Sequence, residues 1–148
     1  MSATGLEVFD KTLHITNTWL SEIMEKLGPD RQVAWHVLGA VLRTIRDRIP
    51  MELSAHLSAE LPMLVRGLYF DQWRAAAPQE RYRTQEEFFD RLVVNLGATR
   101  PVGASDAARA VFEVLNRHLD EGQARKIREA LPEEVRLLWP QKVMEQQG

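Results

Sequence analysis

Apolar residues recur at intervals of three and four along almost the whole chain, and this spacing restricts the fold to helices. The clearest stretch runs from Phe9 to Leu27. Its apolar side consists of Val8, Phe9, Leu13, Ile15, Thr16, Trp19, Leu20, Ile23, Met24 and Leu27. Such spacing is typical of an amphipathic helix that buries one side. Because no run alternates apolar and polar residues between turn signals, the sequence predicts an all-α fold.

Prolines and glycines divide this pattern into segments. Gly28 and Pro29 are expected to end the first helix, since glycine suits a helix C-terminus and proline cannot continue the hydrogen-bond ladder. Asp30 can then cap a second helix. The prolines expected near the starts of later helices are Pro50, Pro62 and Pro132. The pattern predicts a compact bundle of about eight helices.

Two further helix starts carry the spacing of a capping box. Thr84 stands three residues before Glu87, and Asp120 stands three residues before Gln123. These pairs predict the starts of the fifth and seventh helices. Between the fourth and fifth helices, residues 74–83 have no apolar period and are expected to form the longest connection in the molecule.

The two halves of the chain share residues at a shift of seventy positions. The identical pairs are Ala40/Ala110, Val41/Val111, Leu61/Leu131, Pro62/Pro132, Val65/Val135, Arg66/Arg136 and Leu68/Leu138. Because these positions mostly lie on predicted core faces, each half reads as the same four-helix unit. We therefore predict one domain over residues 1–148, with pseudo-symmetric repeats at about 6–73 and 84–140. Residues 141–148 are expected to form a frayed polar tail.

Several quoted segments carry a family resemblance. VFDKTLHITNTWL, LGPDRQVAWHVLGAVLRTIRDRIP, HLSAELPMLVRGLYFDQW and ALPEEVRLLWP follow one another in this order. Together they resemble the bacterial family of domain of unknown function 2267, from about residue 8 to residue 140. The resemblance implies a small helical cytoplasmic protein of uncharacterised biochemical activity. It transfers no catalytic residue to this chain.

Composition argues against several classes of function. Nineteen basic and 21 acidic residues give a net charge of −2, so no overall field attracts nucleic acid or an anionic membrane. The absence of cysteine excludes disulfides, thiolate nucleophiles and sulfur-ligated zinc, and favours a reducing cytoplasm. The start of the chain does not resemble a signal peptide, and no apolar run is long enough for a membrane span. We expect a cytoplasmic protein without a cofactor.

Enzyme and metal motifs are weak. The sequence has no Gly-x-Ser-x-Gly elbow and no glycine-rich phosphate loop. Glu52, His56 and Glu60 share one helical face, but no second face supplies the ligands that would complete a metal site. The sequence therefore favours a protein that is not an enzyme, with no metal site and no catalytic residues.

The fourth helix holds the candidate binding residues. If it continues to Trp73, then Arg66, Tyr69 and Trp73 share one stripe, where a guanidinium could stack on aromatic rings or bind an anion. Arg66 recurs as Arg136, which favours a structural role in both halves. His56, Met63, Gly67 and Trp73 differ from their counterparts or have none, and are better candidates for function.

These observations lead to two functional hypotheses. The leading one is a non-enzymatic helical protein-interaction module whose partner is an unknown protein or a second copy of the chain. Its contact surface would surround His56, Met63, Tyr69 and Trp73. The alternative is a small-molecule or anion-binding protein that uses Arg66, Tyr69 and Trp73 at the junction of the two repeats.

Overall fold

The structure is a computed structural model that describes residues 2–97 and 102–140. Within those ranges the chain forms eight α-helices and no strand, which confirms the all-α prediction. The helices are α1 Glu7–Leu27, α2 Arg31–Arg46, α3 Met51–Ala59, α4 Met63–Phe70, α5 Gln85–Leu96, α6 Ala104–His118, α7 Glu121–Ala130 and α8 Glu133–Arg136. None of these helices is both long and apolar enough to cross a membrane.

Side chains cap three of the helices where the sequence predicts it. The Asp30 carboxylate accepts the backbone N–H groups of residues 32 and 33 at the start of α2. Thr84 and Glu87 form the full capping box of α5. Asp120 accepts the N–H of Gln123, but its own backbone N–H donates to Glu60 rather than to the Gln123 side chain, so only half of that box forms. These caps satisfy N–H groups that a helix cannot pair internally.

The three helix-starting prolines share one geometry. Pro50, Pro62 and Pro132 each stand immediately before a helix, with φ between −61° and −55° and ψ between 149° and 151°. Proline fits this position because its φ is fixed near this value and it has no N–H to leave unpaired. Each proline therefore turns the chain sharply from one helix into the next.

The central helix of the bundle is α2, which is buried along most of its length and packs against α1, α4, α5 and α6. It approaches α4 closely at Gly39, where an added Cβ would lie 2.8 Å from Leu68 Cδ1. The absence of a side chain at Gly39 thus allows the close crossing of α2 and α4.

The later helices complete the core around α2. The α5 helix packs on α2, α6 and α8, while α7 packs on α3, α6 and α8. Phe112 of α6 stacks on Trp139 with ring centroids 4.8 Å apart, and Phe88 of α5 lies 6.1 Å from Phe112. This aromatic cluster joins the end of the described chain to the core.

The connection between α4 and α5 contains no helix, but hydrogen bonds hold it against the C-terminal end of α2. The N–H of Glu80 donates to the Asp47 carbonyl at 2.7 Å. The buried Tyr82 hydroxyl donates to the Thr44 carbonyl at 2.9 Å, and Arg48 Nε donates to the Tyr82 carbonyl at 3.0 Å. The first two contacts satisfy carbonyls that the end of α2 leaves unpaired.

Two details differ from the sequence-based expectations. First, α4 ends at Phe70, so Trp73 is not part of the helix. Second, Val8, Phe9 and Leu13, which lie on the predicted apolar side of α1, are exposed rather than buried. With 21 residues, α1 is roughly 7 Å longer than the 16-residue α2 that runs back along it. The first turns of α1 therefore extend beyond the end of α2 and are not covered by it. The predicted tail, 141–148, lies outside the described residues.

Candidate functional site

Arg66 and Arg136 close equivalent helix junctions. Arg66 Nε donates to the Ser58 carbonyl at 2.9 Å, and its Nη2 donates to the Leu61 carbonyl at 3.2 Å. Arg136 Nε donates to the Leu131 carbonyl at 3.0 Å, and its Nη2 reaches the Glu129 carbonyl at 3.3 Å. Both guanidinium groups thus bind carbonyls at the end of the preceding helix. This agrees with a structural role for the arginine that recurs in both halves.

Tyr69 is buried, so its side chain is not part of a surface. Its hydroxyl forms a short hydrogen bond with the buried Ser54 hydroxyl. Burial raises the pKa of Tyr69 to about 12, and the hydrogen bond with Ser54 opposes this rise. Tyr69 therefore stays protonated at neutral pH and can donate its proton to Ser54.

The other candidate residues lie apart from one another. His56 is exposed on α3, and Met63 and Gly67 are exposed on α4. An added Cβ at Gly67 would meet nothing within 4 Å, so packing does not require glycine there. Trp73 follows α4, with its ring 5.2 Å from that of Phe70. The structure therefore does not bring Arg66, Tyr69 and Trp73 together in one stripe.

Four exposed apolar side chains, on the residue before α1, on α1 and at the start of α4, are together called the apolar ridge. The residues of this apolar ridge, Leu6, Phe9, Leu13 and Leu64, are between 40% and 51% exposed. Phe9 and Leu13 precede the buried Thr16 and Leu20 by two helical turns each. The Leu64 N–H donates to Thr12 Oγ1 at 3.4 Å, which places α4 beside the same turn of α1. The ridge thus continues the core-facing side of α1 into solvent.

A groove of about 450 Å³ lies on the other side of this α1 turn. Apolar lining comes from Val8, Ile15, Trp19, Leu61 and Met63, and polar lining from Lys11, Glu60, Arg66 and His118. The His118 ring stacks on Trp19 at 5.3 Å, and its Nε2 lies 3.0 Å from a carboxylate oxygen of Glu22. Two predicted candidates, Met63 and Arg66, line this groove.

A separate pocket of about 380 Å³ lies beneath the segment 71–80. Arg46, Asp47 and Ser54 line its inner side, and Trp73 and Arg74 line it from the connection. The side chain of Arg46 is only 5% exposed. This pocket contains Trp73 but none of the other predicted candidates.

The described residues contain no group of three or more side chains that could hold a metal ion. Glu52 and His56 are exposed on α3. Glu60 instead accepts the N–H of Asp120 at 2.9 Å, which links α3 to the start of α7. Of the three residues Glu52, His56 and Glu60, the last therefore contacts the start of α7.

A comparison of the chain with models of known protein families tests the family resemblance seen in the sequence. The model of the family described as "Uncharacterized conserved protein (DUF2267)" matches residues 16–138. The chain belongs to this family. A search of curated proteins finds no match. Membership of the DUF2267 family agrees with the suspected resemblance and assigns no activity.

Sequence reasoning missed every pocket residue except Trp73, and every groove residue except Met63 and Arg66. Arg46 carried a usable signal, because it lies between Leu42 and Ile49 on the apolar side of α2. A charged residue on such a face is expected to have specific partners. Ser54, in contrast, gives no signal, since its role depends on Tyr69 fifteen residues later.

Proposed function

We propose that this DUF2267 protein is a non-enzymatic helical protein-interaction module that binds through the apolar ridge. One observation carries the proposal. Six of the eleven exposed large hydrophobic residues in the described chain lie on the ridge or on the rim of the adjoining groove: Leu6, Val8, Phe9, Leu13, Met63 and Leu64. A concentrated apolar surface of this kind is typical of protein–protein contacts.

The partner that we propose is a second copy of the chain. A two-fold interface joins identical surfaces, so an antiparallel pair of α1 helices would bury both ridges together. Such a pair would also bring Asp10 of one copy near His14 of the other. None of the ion pairs between described residues contains His14, and hydrogen bonds from Ser2 and Thr4 lower the pKa of Asp10, which keeps it charged. An imidazole N–H of His14 could then donate to the Asp10 carboxylate across the proposed axis.

The three residues of the alternative hypothesis do not lie in one site. Arg66 lines the groove, Trp73 lines the pocket, and Tyr69 is buried. Arg66 also uses its donors on helix carbonyls. The ridge therefore supports the interaction module better than these three residues support an anion site at the junction of the repeats. The lack of cysteine supports a cytoplasmic location as part of the same proposal.

Light scattering coupled to size-exclusion chromatography tests the proposal. We expect the wild-type protein to have twice the 17.0 kDa mass of one chain. Phe9→Glu should give a monomer that keeps the wild-type circular dichroism spectrum, because it places a charge on the ridge without touching the core.

Val94→Glu is the matched control. Val94 is an exposed apolar residue on α5, away from the ridge, so this variant should remain a dimer. A monomeric wild-type protein would contradict the proposal. So would a Phe9→Glu variant that stays dimeric.

A further inference from the structure

The pocket beneath the segment 71–80 has the chemistry of a small-ligand site. Its inner wall carries Arg46, whose Nε donates to Asp47 Oδ1 at 2.8 Å. Arg46 Nη1 donates to the carbonyls of Tyr69 and Asp71 at 2.8 and 2.9 Å. Its Nη2 donates to no described residue. A guanidinium that is almost completely buried thus lines the pocket with one nitrogen still able to bind an acceptor.

Ser54 supplies a second donor. Its side chain is 2% exposed and lines the same pocket. Because Tyr69 stays protonated and can donate to Ser54 Oγ, the Ser54 O–H can point to another acceptor. Arg46 and Ser54 therefore provide donors of the kind that binds a carboxylate.

An acidic group stands directly beside these donors. Asp47 lines the pocket, and only its Oδ1 is used by Arg46, so Oδ2 can accept from a ligand cation. In an α-amino acid the carboxylate and the ammonium are attached to one carbon. The groups that bind them must therefore be neighbours, as Arg46 and Asp47 are.

Apolar residues also line the pocket. They are Trp73, Ile49 and Met51. Gln72, which also lines the pocket, has a φ of 61°, a left-handed conformation that is unfavourable for a residue with a side chain. This turn sets the direction in which Trp73 leaves α4.

We propose that this pocket binds a small zwitterion, an α-amino acid with an apolar side chain. Its carboxylate would bind Arg46 and Ser54, its ammonium would bind Asp47, and its side chain would pack on Trp73. The pocket lies apart from the apolar ridge, so this inference is independent of the proposed interaction.

Isothermal titration calorimetry with three matched probes tests the inference: phenylalanine, 3-phenylpropionate, which lacks the ammonium, and phenethylamine, which lacks the carboxylate. We expect phenylalanine to bind at least about tenfold more tightly than either probe with one charge. Trp73→Ala should weaken phenylalanine binding about tenfold. Leu137→Ala, at an exposed apolar position outside the pocket, should leave binding unchanged.

Asp47→Asn distinguishes recognition of the ammonium from simple apolar binding. Asparagine can still accept from Arg46 Nε but has no charge, so we expect phenylalanine to bind more weakly and 3-phenylpropionate more tightly. The absence of saturable phenylalanine binding would overturn the proposal. So would equal affinities for the three probes, or affinities that Trp73→Ala and Asp47→Asn leave unchanged.

Discussion

At the scale of single residues, the molecule relies on polar side chains that bind backbone carbonyls or one another. Arg46, Arg66 and Arg136 each donate to carbonyls at a helix end. Tyr82 donates to a carbonyl of α2, and Tyr69 pairs with Ser54. Arg46, Tyr69 and Tyr82 are buried, so the loss of a partner leaves a polar group unsatisfied away from water, whereas Arg66 and Arg136 are exposed.

Removing the Tyr69 hydroxyl should destabilise the fold. In Tyr69→Phe the buried Ser54 hydroxyl loses its partner, and we expect the free energy of unfolding to fall by about 1–2 kcal/mol. Urea denaturation measures the change. The double variant Ser54→Ala with Tyr69→Phe should lose little more than the single one. Strictly additive losses would show that the two hydroxyls do not interact.

The raised pKa of Tyr69 also predicts a loss of stability in alkali. A group whose pKa is about 12 in the folded state and about 10 when unfolded stabilises the fold below pH 10. That contribution is lost as the pH rises from about 10 to about 12. Burial raises the pKa of Tyr82 as well, so both tyrosines act in the same direction. Denaturation curves at several alkaline pH values should show a shallower loss in Tyr69→Phe than in wild type.

Arg66 and Arg136 should have similar effects on stability. Arg66→Ala removes hydrogen bonds to the end of α3, and we expect it to lower the free energy of unfolding by about 1 kcal/mol. Arg136→Ala should cost a similar amount at the end of α7. Neither change should affect the oligomeric state measured by light scattering. A variant of Arg66 that keeps full stability would contradict the structural role.

At the scale of helices, the sequence predicted the starts better than the ends. The caps at Asp30 and Thr84 were predictable because each depends on residues within one turn. The end of α4 was not, because it depends on Arg46, which binds the carbonyls of Tyr69 and Asp71 from another helix. The exposure of Phe9 was also missed, since periodicity gives a helix face but not the length of the helix that covers it.

The turn after α4 offers a test of local strain. Gln72 adopts a left-handed conformation that glycine accepts at no steric cost, so Gln72→Gly should raise the free energy of unfolding by about 0.5–1 kcal/mol. Asp71→Gly is the matched control. Asp71 has a φ of −58°, so glycine there should not stabilise the protein. Equal effects of the two substitutions on the thermal midpoint would contradict this account of the turn.

At the scale of the whole molecule, the internal repeat stays a prediction. The matching roles of Arg66 and Arg136, and the shared geometry of Pro62 and Pro132, support it. The two halves nevertheless differ in helix length, since α4 has eight residues and α8 has four. The pocket and the ridge both lie beside α4 or the segment that follows it, where the two halves differ.

In the dimer that we propose, two copies of this chain meet through the apolar ridge. Cross-saturation nuclear magnetic resonance tests it directly, with deuterated ¹⁵N-labelled protein mixed with unlabelled protein. Irradiation of the unlabelled copy should reduce the amide signals of Phe9, Leu13 and Leu64. Unchanged amide signals, or losses confined to the region of Val93 and Val94 on α5, would contradict the claim.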